Sequence, residues 1–387
     1  MKHFRGTLTM AASLIIGVAV GSTVFADDAQ RGTRGTAWVA AGMEDSLTAV
    51  DVATGEVVAS LPVGVNPHIL SVSPDGRTLY VINAGEHDRE PHSESDVAGP
   101  GESMATGGPA MGSTAAGHME RERDKELAGN SLWAVDGATG RIIARVPVGL
   151  GPTHPLASPD GRFVYVTNTD ENTVSVIDTR TWTVVATVGG LPEPHDAAIT
   201  PDGRLLYVAT SESSTLSIVD TVRRSVVASF GVGTKPRGVA VGGAEGETAY
   251  VTNKADGTMT ILDVPSGTVR GTFEVGRGAH ALRVAPDGRT IYIALSQENA
   301  VAVFDTETTT VVRKIPVGTT PEQIDLSADG TLLFAANNGD ATMTIIRTSD
   351  QKRVTTVPVG AGAYGVQMVT IGLKATDSDH STSRMGR

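Results

Sequence analysis

Hydrophobic and polar residues alternate over short runs through most of the chain, and turn-forming residues separate the runs. The segment from Val148 to Thr187 contains four such runs, rich in β-branched residues. They are His154–Ala157, Phe163–Asn168, Thr173–Asp178 and Thr183–Thr187. The turn Pro159-Asp160-Gly161 separates the first two, and glycine there is free to take positive φ. Because no helical periodicity intervenes, the pattern predicts four short β-strands.

The same four-run pattern recurs along the chain at a nearly fixed period. The marker Val-Gly begins at Val63, Val148, Val188, Val232, Val275, Val317 and Val359. Its spacing is about 42 residues, except that the first interval is twice as long and indicates one insertion. Two further motifs keep the same phase, the turn Pro-Asp-Gly (as in Pro74-Asp75-Gly76) and the strand Tyr-Val-x-Asn (as in Tyr165–Asn168). Seven markers predict seven repeat units.

This repetition predicts an all-β fold, a seven-bladed β-propeller of four-stranded blades. The chain enters at Thr36–Ala40, which aligns with the second strand of a unit, and the missing first strand is at Tyr364–Thr370. We therefore expect a C-terminal strand to join the N-terminal blade and close the ring. The propeller is predicted to span residues 36–371, followed by a disordered tail at 372–387.

One aspartate recurs at the turn after the third strand in six of the seven units. These residues are Asp51, Asp136, Asp178, Asp220, Asp263 and Asp305. A calcium site needs several oxygen ligands that converge, whereas these residues supply one carboxylate per unit. We expect them to cap their turns through bonds to the backbone.

Composition excludes several classes of function. The 387 residues carry a formal charge of −12, and the densest basic cluster, Arg121 to Lys125, is interleaved with acidic residues. Such a surface disfavours nucleic-acid binding. The absence of cysteine excludes disulfides, thiolate metal sites and cysteine nucleophiles. No nucleophile elbow, P-loop or dinucleotide fingerprint occurs either. We expect a monomer.

The N-terminus predicts export. A short basic region, an apolar run from Leu8 to Val20 and the small residues around Ala26 indicate a signal peptide at residues 1–26, with a linker at 27–35. An uncleaved membrane anchor is the alternative, but the run is short and glycine-rich for a membrane span. We expect the mature protein to have no membrane span and to be periplasmic, secreted or at the cell surface.

Residues 84–129 form the insertion, in the hairpin between the second and third strands of one unit. It is rich in Gly, Ser, Ala and charge and lacks Ile, Phe, Tyr and Trp, which predicts disorder. Its three histidines, His87, His92 and His118, lie among methionines, and these two residue types suit copper. Their irregular spacing favours a solvated linker, with copper binding as the alternative.

The three motifs at their fixed offsets resemble the YVTN family of β-propeller repeat proteins, which includes YncE-like exported proteins and surface-layer propellers. The resemblance extends from about Thr36 to Ile371. It implies a seven-bladed, mostly extracytoplasmic propeller, and it implies no single activity. Similar repeats occur in propellers of the lactonase type and in nitrous oxide reductase, whose ligands come from loops at one mouth of the channel.

This comparison directs attention to one repeat position, immediately before or within the innermost strand. Its occupants are His68, Thr153, His195, Arg237, His280, Glu322 and Tyr364, and His154 is adjacent. Because innermost strands line the channel, we expect these side chains to converge near one mouth. Titratable bases, a fixed cation and a hydrogen-bond donor would suit a small anionic or metal-bearing ligand. The alternative is a polar channel lining with no ligand.

Three functions remain open from the sequence. The first is a non-enzymatic binding or scaffold module of the cell envelope, with a protein, an envelope component or a small anionic ligand as partner. It has no catalytic residues and no cofactor. The second is a lactone hydrolase that uses a mouth histidine as base and Arg237 to stabilise negative charge. The third is a copper-binding, redox-associated protein.

Overall fold

The computed structural model describes residues 35–85, 129–243 and 245–369. Within them, 28 strands form seven four-stranded antiparallel sheets. The innermost strands contact one another in chain order, and the last contacts that of blade 2, so the blades form a closed ring. Two short 3-10 turns, Gly42–Glu44 and Asn338–Asp340, are the helical elements of this part of the chain. The predicted seven-bladed propeller is confirmed.

The strands are numbered in chain order and the blades by ring position. Blade 1 contains β1 (Thr36–Ala41), β2 (Ser46–Asp51), β3 (Glu56–Pro62) and β28 (Ala363–Val369). Blade 2 contains β4 (Pro67–Val72), β5 (Thr78–Asn83), β6 (Ser131–Asp136) and β7 (Ile142–Pro147). Blade 3 contains β8 (Pro152–Ala157), β9 (Phe163–Asn168), β10 (Thr173–Asp178) and β11 (Thr183–Gly189). Blade 4 contains β12 (Pro194–Ile199), β13 (Leu205–Thr210), β14 (Thr215–Asp220) and β15 (Ser225–Gly231).

In blades 5 to 7, as in blades 2 to 4, the strands follow chain order from the innermost to the outermost. Blade 5 contains β16 (Pro236–Gly242), β17 (Thr248–Asn253), β18 (Thr258–Asp263) and β19 (Thr268–Glu274). Blade 6 contains β20 (Ala279–Val284), β21 (Thr290–Leu295), β22 (Ala300–Asp305) and β23 (Thr310–Pro316). Blade 7 contains β24 (Pro321–Leu326), β25 (Leu332–Asn337), β26 (Thr342–Arg347) and β27 (Lys352–Pro358).

Ring closure occurs through the C-terminal strand, as predicted. β28 pairs antiparallel with β1, with Trp38 opposite Gln367 and Val39 opposite Val366. Tyr364 of β28 is 3% exposed, which places it in the packed interior. The two ends of the chain therefore share one sheet, and the ring has no open seam.

The core consists of apolar layers between neighbouring blades. The second and third strands of each blade are buried on both faces, as in the run LYVIN of β5 and the run LWAV of β6. Between blades 1 and 2, Trp38, Leu70, Val81 and Trp133 belong to one such layer. The outermost strands alternate exposed and partly buried residues because one face of each packs inward.

The recurring aspartates cap their turns. Asp178 accepts hydrogen bonds from the backbone N–H groups of Arg180 (2.8 Å) and Thr181 (3.3 Å). Asp305 accepts from those of Glu307 and Thr308, both at 2.9 Å. The predicted structural role is confirmed, and a calcium role is not needed to explain these residues.

The same turns make a stability prediction. Thr309 has a φ of 54°, whereas Gly140 has a φ of 70° at the equivalent place in blade 2. A β-branched residue is disfavoured in this left-handed region, where glycine fits without strain. We expect Thr309→Gly to raise the free energy of unfolding by about 1 kcal/mol and the reciprocal Gly140→Thr to lower it by a similar amount. Urea denaturation of both variants tests this prediction. A lower free energy of unfolding for Thr309→Gly, or a higher one for Gly140→Thr, would contradict it.

Several predictions about the ends and the insertion fall outside the described residues. These are the signal peptide at 1–26, nearly all of the linker at 27–35, the interior of the insertion at 84–129 with its disorder, and the tail at 372–387. Where the chain is described, it contains no helix with the length and hydropathy to span a membrane.

Candidate functional site

The side chains of the central channel come from a β-bulge that recurs in every blade. In blade 4, Pro194 pairs with Thr210 and Ala197 with Val208, so His195 and Asp196 together face one residue of β13. Corresponding register shifts occur in the other six blades. A bulge bends the strand and redirects its side chains, which brings two consecutive positions to the channel.

The second residue of each innermost strand forms the set that we call the second-position ring. Its members are His68, Thr153, His195, Arg237, His280, Glu322 and Tyr364. These are the residues predicted from the sequence, and the structure places them all at one level of the channel. That level is close to the entry mouth, the end at which the innermost strands begin. Whether the ring binds a ligand stays a prediction.

Within the second-position ring, aromatic side chains pack closely. The rings of His195 and His280 have centroids 5.4 Å apart, and those of His68 and Tyr364 are 4.5 Å apart. Arg237 lies near Glu193, with 3.8 Å between guanidinium nitrogen and carboxylate oxygen. His195, His280 and Tyr364 are all buried. His68, Arg237 and Glu322 are partly exposed, so some side chains of this level remain accessible.

The third residue of each innermost strand forms the next level of the channel. His154 of blade 3 reaches Gln323 of blade 7 across the axis, with 2.7 Å between their Nε2 atoms. If the Gln323 amide donates, His154 Nε2 accepts and its proton lies on Nδ1. Asp196 Oδ1 is 3.9 Å from the same imidazole nitrogen. His154, predicted beside the ring, thus lies one level deeper, and its imidazole also packs against that of His195 in the second-position ring, with ring centroids 5.0 Å apart.

Backbone and hydroxyl contacts hold this level of the channel in place. Asp196 accepts hydrogen bonds from the N–H groups of Ala197 (2.8 Å) and of Val239 in blade 5 (3.2 Å). The hydroxyl of Thr167 accepts from the N–H of His154 (3.0 Å) and donates to the carbonyl of His195 (2.7 Å). The bond from Val239 to Asp196 and the bond from Thr167 to His195 each join two neighbouring blades, whereas the other two lie within one blade.

Three channel histidines are neutral because they are buried. Burial lowers the pKa of His154, and the opposing effect of the Asp196 carboxylate does not cancel it. Burial and then the charge of Arg237 lower the pKa of His195 well below its ordinary value. Burial and then Lys254 do the same for the pKa of His280. The Nδ1 atoms of all three make no hydrogen bond within the described residues.

These histidines predict a loss of stability in mild acid. Their folded-state pKa values are depressed, so the unfolded chain binds more protons below its ordinary histidine pKa of about 6.5. The contribution of these histidines to the free energy of unfolding is therefore fully present above that pH. It is lost as the pH decreases toward their folded-state pKa values. Each histidine contributes up to about 1.4 kcal/mol per pH unit in that window.

Urea denaturation between about pH 7.5 and about pH 5 tests this prediction, because the carboxylates with ordinary or lowered pKa values stay ionised over most of that range. We expect His195→Asn to reduce the slope of the unfolding free energy against pH by the equivalent of about one bound proton. A matched substitution at the partly exposed His68 serves as control. An unchanged slope in the His195 variant would contradict the neutral state of this side chain.

A cavity of about 650 Å³ lies beyond the third level. It extends toward the turn mouth, the end at which the innermost strands meet their Pro-Asp-Gly turns. His154, Asp196 and Gln323 line its inner end. The fifth residues of the innermost strands supply its polar wall, and they include Ser71, Arg283, Asp325 and Gln367.

Asp325 organises that polar wall. Its Oδ1 accepts from Arg283 Nε at 3.2 Å, and its Oδ2 accepts from Gln367 Nε2 and from the N–H of Met368, both at 2.9 Å. Burial raises the pKa of Asp325, while the Arg283 charge and the Met368 N–H act in the opposite direction. The carboxylate thus connects blades 6, 7 and 1. The hydroxyl of Ser71, in contrast, is buried and makes no hydrogen bond within the described residues.

The channel does not present a preformed metal site. No group of three or more His, Cys, Asp or Glu side chains within the described residues is arranged to hold a metal ion. The three histidines of the predicted copper alternative, His87, His92 and His118, lie outside the described residues.

Comparison with known proteins identifies the family. The model of the YncE-like β-propeller family matches residues 126–236 and 233–372, which is more than half of the chain. The chain belongs to the YncE-like β-propeller family. The resemblance inferred from the sequence motifs is thereby confirmed.

Relatives of this YncE-like propeller differ in the roles that their names state. The β subunit of hydrazine synthase from Kuenenia stuttgartiensis is 32% identical over 141 residues, 35% of this chain and 32% of that protein. A hydrazine synthase structure from the same organism has a TM-score of 0.61 and 20% identity, covering 77% of this chain and 88% of the other. The periplasmic gluconolactonase of Pseudomonas aeruginosa has a TM-score of 0.65 and 21% identity, covering 87% and 99%. At these identities, the structural matches establish the fold.

Sequence reasoning missed the polar groups of the cavity. Asp196 and Gln323 follow directly after the predicted ring residues, but strand alternation assigns consecutive positions to opposite faces. The bulge removes that alternation. Arg283, Asp325 and Gln367 were missed because only one repeat position was compared across the units. A comparison of the fifth position would have found them, since charged and amide residues cluster there in three adjacent blades.

Proposed function

We propose that this YncE-like propeller binds a small, neutral, polyhydroxylated molecule in the central cavity. The volume of about 650 Å³ is within the range of ligand pockets. Hydrogen-bond donors and acceptors alternate along its wall, because Arg283 and Gln367 donate while Asp325 and Asp196 accept. A sugar-like molecule presents hydroxyl groups that both donate and accept, and it fits this mixed wall better than an anion.

The observation that carries this proposal is the hydroxyl of Ser71. Ser71 is part of the cavity lining, and its hydroxyl is buried and makes no hydrogen bond to the described residues. Buried polar groups are rarely left unsatisfied, and a ligand hydroxyl is a partner that would satisfy this one. The alternative is an anionic ligand at the second-position ring, but four of the seven side chains there are buried, and two pairs of aromatic rings pack against each other.

Titration calorimetry with D-glucose, myo-inositol and D-glucono-1,5-lactone tests the proposal. We expect at least one of them to bind, and Ser71→Ala to weaken binding by roughly five- to thirtyfold because one hydrogen bond is lost. Ser46→Ala is the matched control, since the Ser46 hydroxyl is also buried and makes no hydrogen bond within the described residues, yet it lies outside the cavity. Absence of binding by all three compounds, or equal affinity in both serine variants, would reject the proposal.

A second candidate function is hydrolysis of a sugar lactone in the same cavity. It is favoured by a neutral His154 next to the Asp196 carboxylate, with Arg283 close enough for its charge to lower the pKa of His154 further. His154 Nε2, once released from the Gln323 amide, would take a proton from water as the water oxygen attacks the lactone carbonyl, and Arg283 would stabilise the oxyanion. Cleavage of the ring C–O bond then returns the proton to the alkoxide. The fold is shared with a periplasmic gluconolactonase.

The rate of lactone hydrolysis distinguishes the two candidate functions, a lactonase and a binding module. If the protein is a lactonase, it accelerates opening of D-glucono-1,5-lactone above the background rate, and His154→Gln reduces that acceleration at least about a hundredfold. If the protein is a binding module, lactone opening stays at background while binding persists. The β subunit of hydrazine synthase is by its name part of a larger enzyme, which is compatible with the second outcome.

We also propose that the protein works outside the cytoplasm, in the periplasm, in the medium or on the cell surface. The predicted signal peptide at residues 1–26 is the support for this proposal. N-terminal sequencing of the protein purified from its own cells is the test. A mature chain beginning near Asp27 supports export, and a chain that retains residues 1–26 in the cytosolic fraction contradicts it.

A further inference from the structure

A second cavity, also about 650 Å³, lies between blades 4 and 5 on the face of the turn mouth. We call it the inter-blade groove. Its walls include Leu205 and Phe230 from blade 4 and Val264 and Pro265 from blade 5. The carboxylate side chains of Asp202, Glu245 and Glu247 also line it, and the described residues of the lining include no lysine, arginine or histidine. An apolar surface next to several carboxylates is typical of a site for a cationic, partly apolar group.

The acidity of the groove comes from a departure of blade 5 from the repeat. Blades 2, 3, 4 and 6 carry an arginine directly after the turn glycine, at Arg77, Arg162, Arg204 and Arg289. At the same place blade 5 carries Glu247, and Glu245 occupies the place of the turn aspartate. The positive charge found at four other turns is thus inverted at this one.

The groove is held in shape by contacts between the two blades. The hydroxyl of Tyr207 in blade 4 donates to the carbonyl of Gly246 in blade 5 at 3.0 Å. Glu247 accepts a hydrogen bond from the N–H of Glu245 at 3.1 Å, which orders the acidic turn. Burial, together with the charges of Asp202 and Glu247, raises the pKa of Tyr207 to about 12. The negative charges of Asp202 and Glu247 therefore influence a side chain that lines the groove.

We propose that the inter-blade groove docks a partner polypeptide segment in which a lysine or arginine stands next to apolar residues. Charge complementarity with Asp202, Glu245 and Glu247 selects the basic residue, and the wall formed by Leu205, Phe230 and Val264 takes its apolar neighbour. The groove opens beside the half-exposed Val227 of the outer strand β15. An outer strand offers backbone groups to an extended segment, which favours a polypeptide over a free small molecule.

Fluorescence anisotropy with the full chain and two labelled peptides tests this inference. One peptide alternates valine and lysine, and the other alternates valine and glutamate at the same length. We expect saturable binding of the valine–lysine peptide alone, weakened roughly tenfold in Glu247→Arg. Glu212→Arg is the matched control, because it makes the same charge change on an exposed residue of blade 4 outside the groove.

A second variant distinguishes a loss of binding from a loss of folding. Glu245→Gln/Glu247→Gln removes the charge with little change of shape, and its thermal midpoint is compared with that of the wild type. Undiminished peptide binding by both groove variants, or equal weakening by Glu212→Arg, overturns the inference. If n-hexylammonium binds with the same sensitivity to Glu247→Arg and the valine–lysine peptide does not bind, the occupant is a small organic cation and polypeptide docking is rejected.

Discussion

A chain that ends at Gly362, and so lacks β28, is expected not to fold cooperatively. Tyr364, Val366, Met368 and Val369 are all buried, and burial of a large apolar side chain contributes about 1.5–3 kcal/mol. Their sum is comparable with the whole stability of a typical domain, about 5–15 kcal/mol. The truncation also leaves β1 with only one of its two partner strands and blade 1 without its innermost strand.

Circular dichroism and urea denaturation of two truncated chains test this expectation. The control ends at Val369, the last residue of β28, and we expect it to unfold at the same urea concentration as the full chain. Cooperative unfolding of the chain that ends at Gly362, at a midpoint near that of the control, would show that the ring does not depend on its closing strand.

Asp325→Ala is expected to lower the free energy of unfolding by about 2–3 kcal/mol. The substitution removes a carboxylate that is only 10% exposed and that accepts hydrogen bonds from Arg283, from the Gln367 side chain and from the N–H of Met368. It leaves the one-third exposed Arg283 guanidinium and two polar groups without this partner at the place where blades 6, 7 and 1 meet.

The matched control is Asp350→Ala, also in blade 7. Asp350 pairs with Arg347 at 3.4 Å, but both side chains are about one-third exposed. Such surface pairs contribute at most about 1 kcal/mol. Urea denaturation of the two variants at neutral pH gives the comparison. A cost for Asp325→Ala no larger than that for Asp350→Ala would mean that the polar wall does not hold the blades together.

The architecture was predictable because each unit repeats its turn chemistry as well as its hydrophobic pattern. Gly161 and Gly203 follow Pro-Asp at the same phase, and both take positive φ as expected. The predicted strands at Phe163–Asn168 and Thr173–Asp178 have the bounds that the structure shows. The first strand begins two residues earlier than expected, at Pro152, because the bulge interrupts its alternation.

The channel was predictable only in part, for a physical reason. The second-position ring could be read from the repeat because its members occupy one offset, including His195 after a shift of one residue. The contact between His154 and Gln323 joins residues 169 positions apart in blades 3 and 7. No local pattern encodes a contact across the axis, since it depends on how seven bulges direct their side chains inward. The charge inversion at Glu247, by contrast, is visible in the sequence once the turns are aligned.

A crystal structure of the full chain with D-glucono-1,5-lactone or myo-inositol tests the central claim most directly. We expect the ligand in the cavity beyond His154 and Gln323, with one hydroxyl bonded to Ser71 and others bonded to the wall of Arg283, Asp325 and Gln367. A ligand held instead at the entry mouth, among His195, Arg237 and His280, would contradict it.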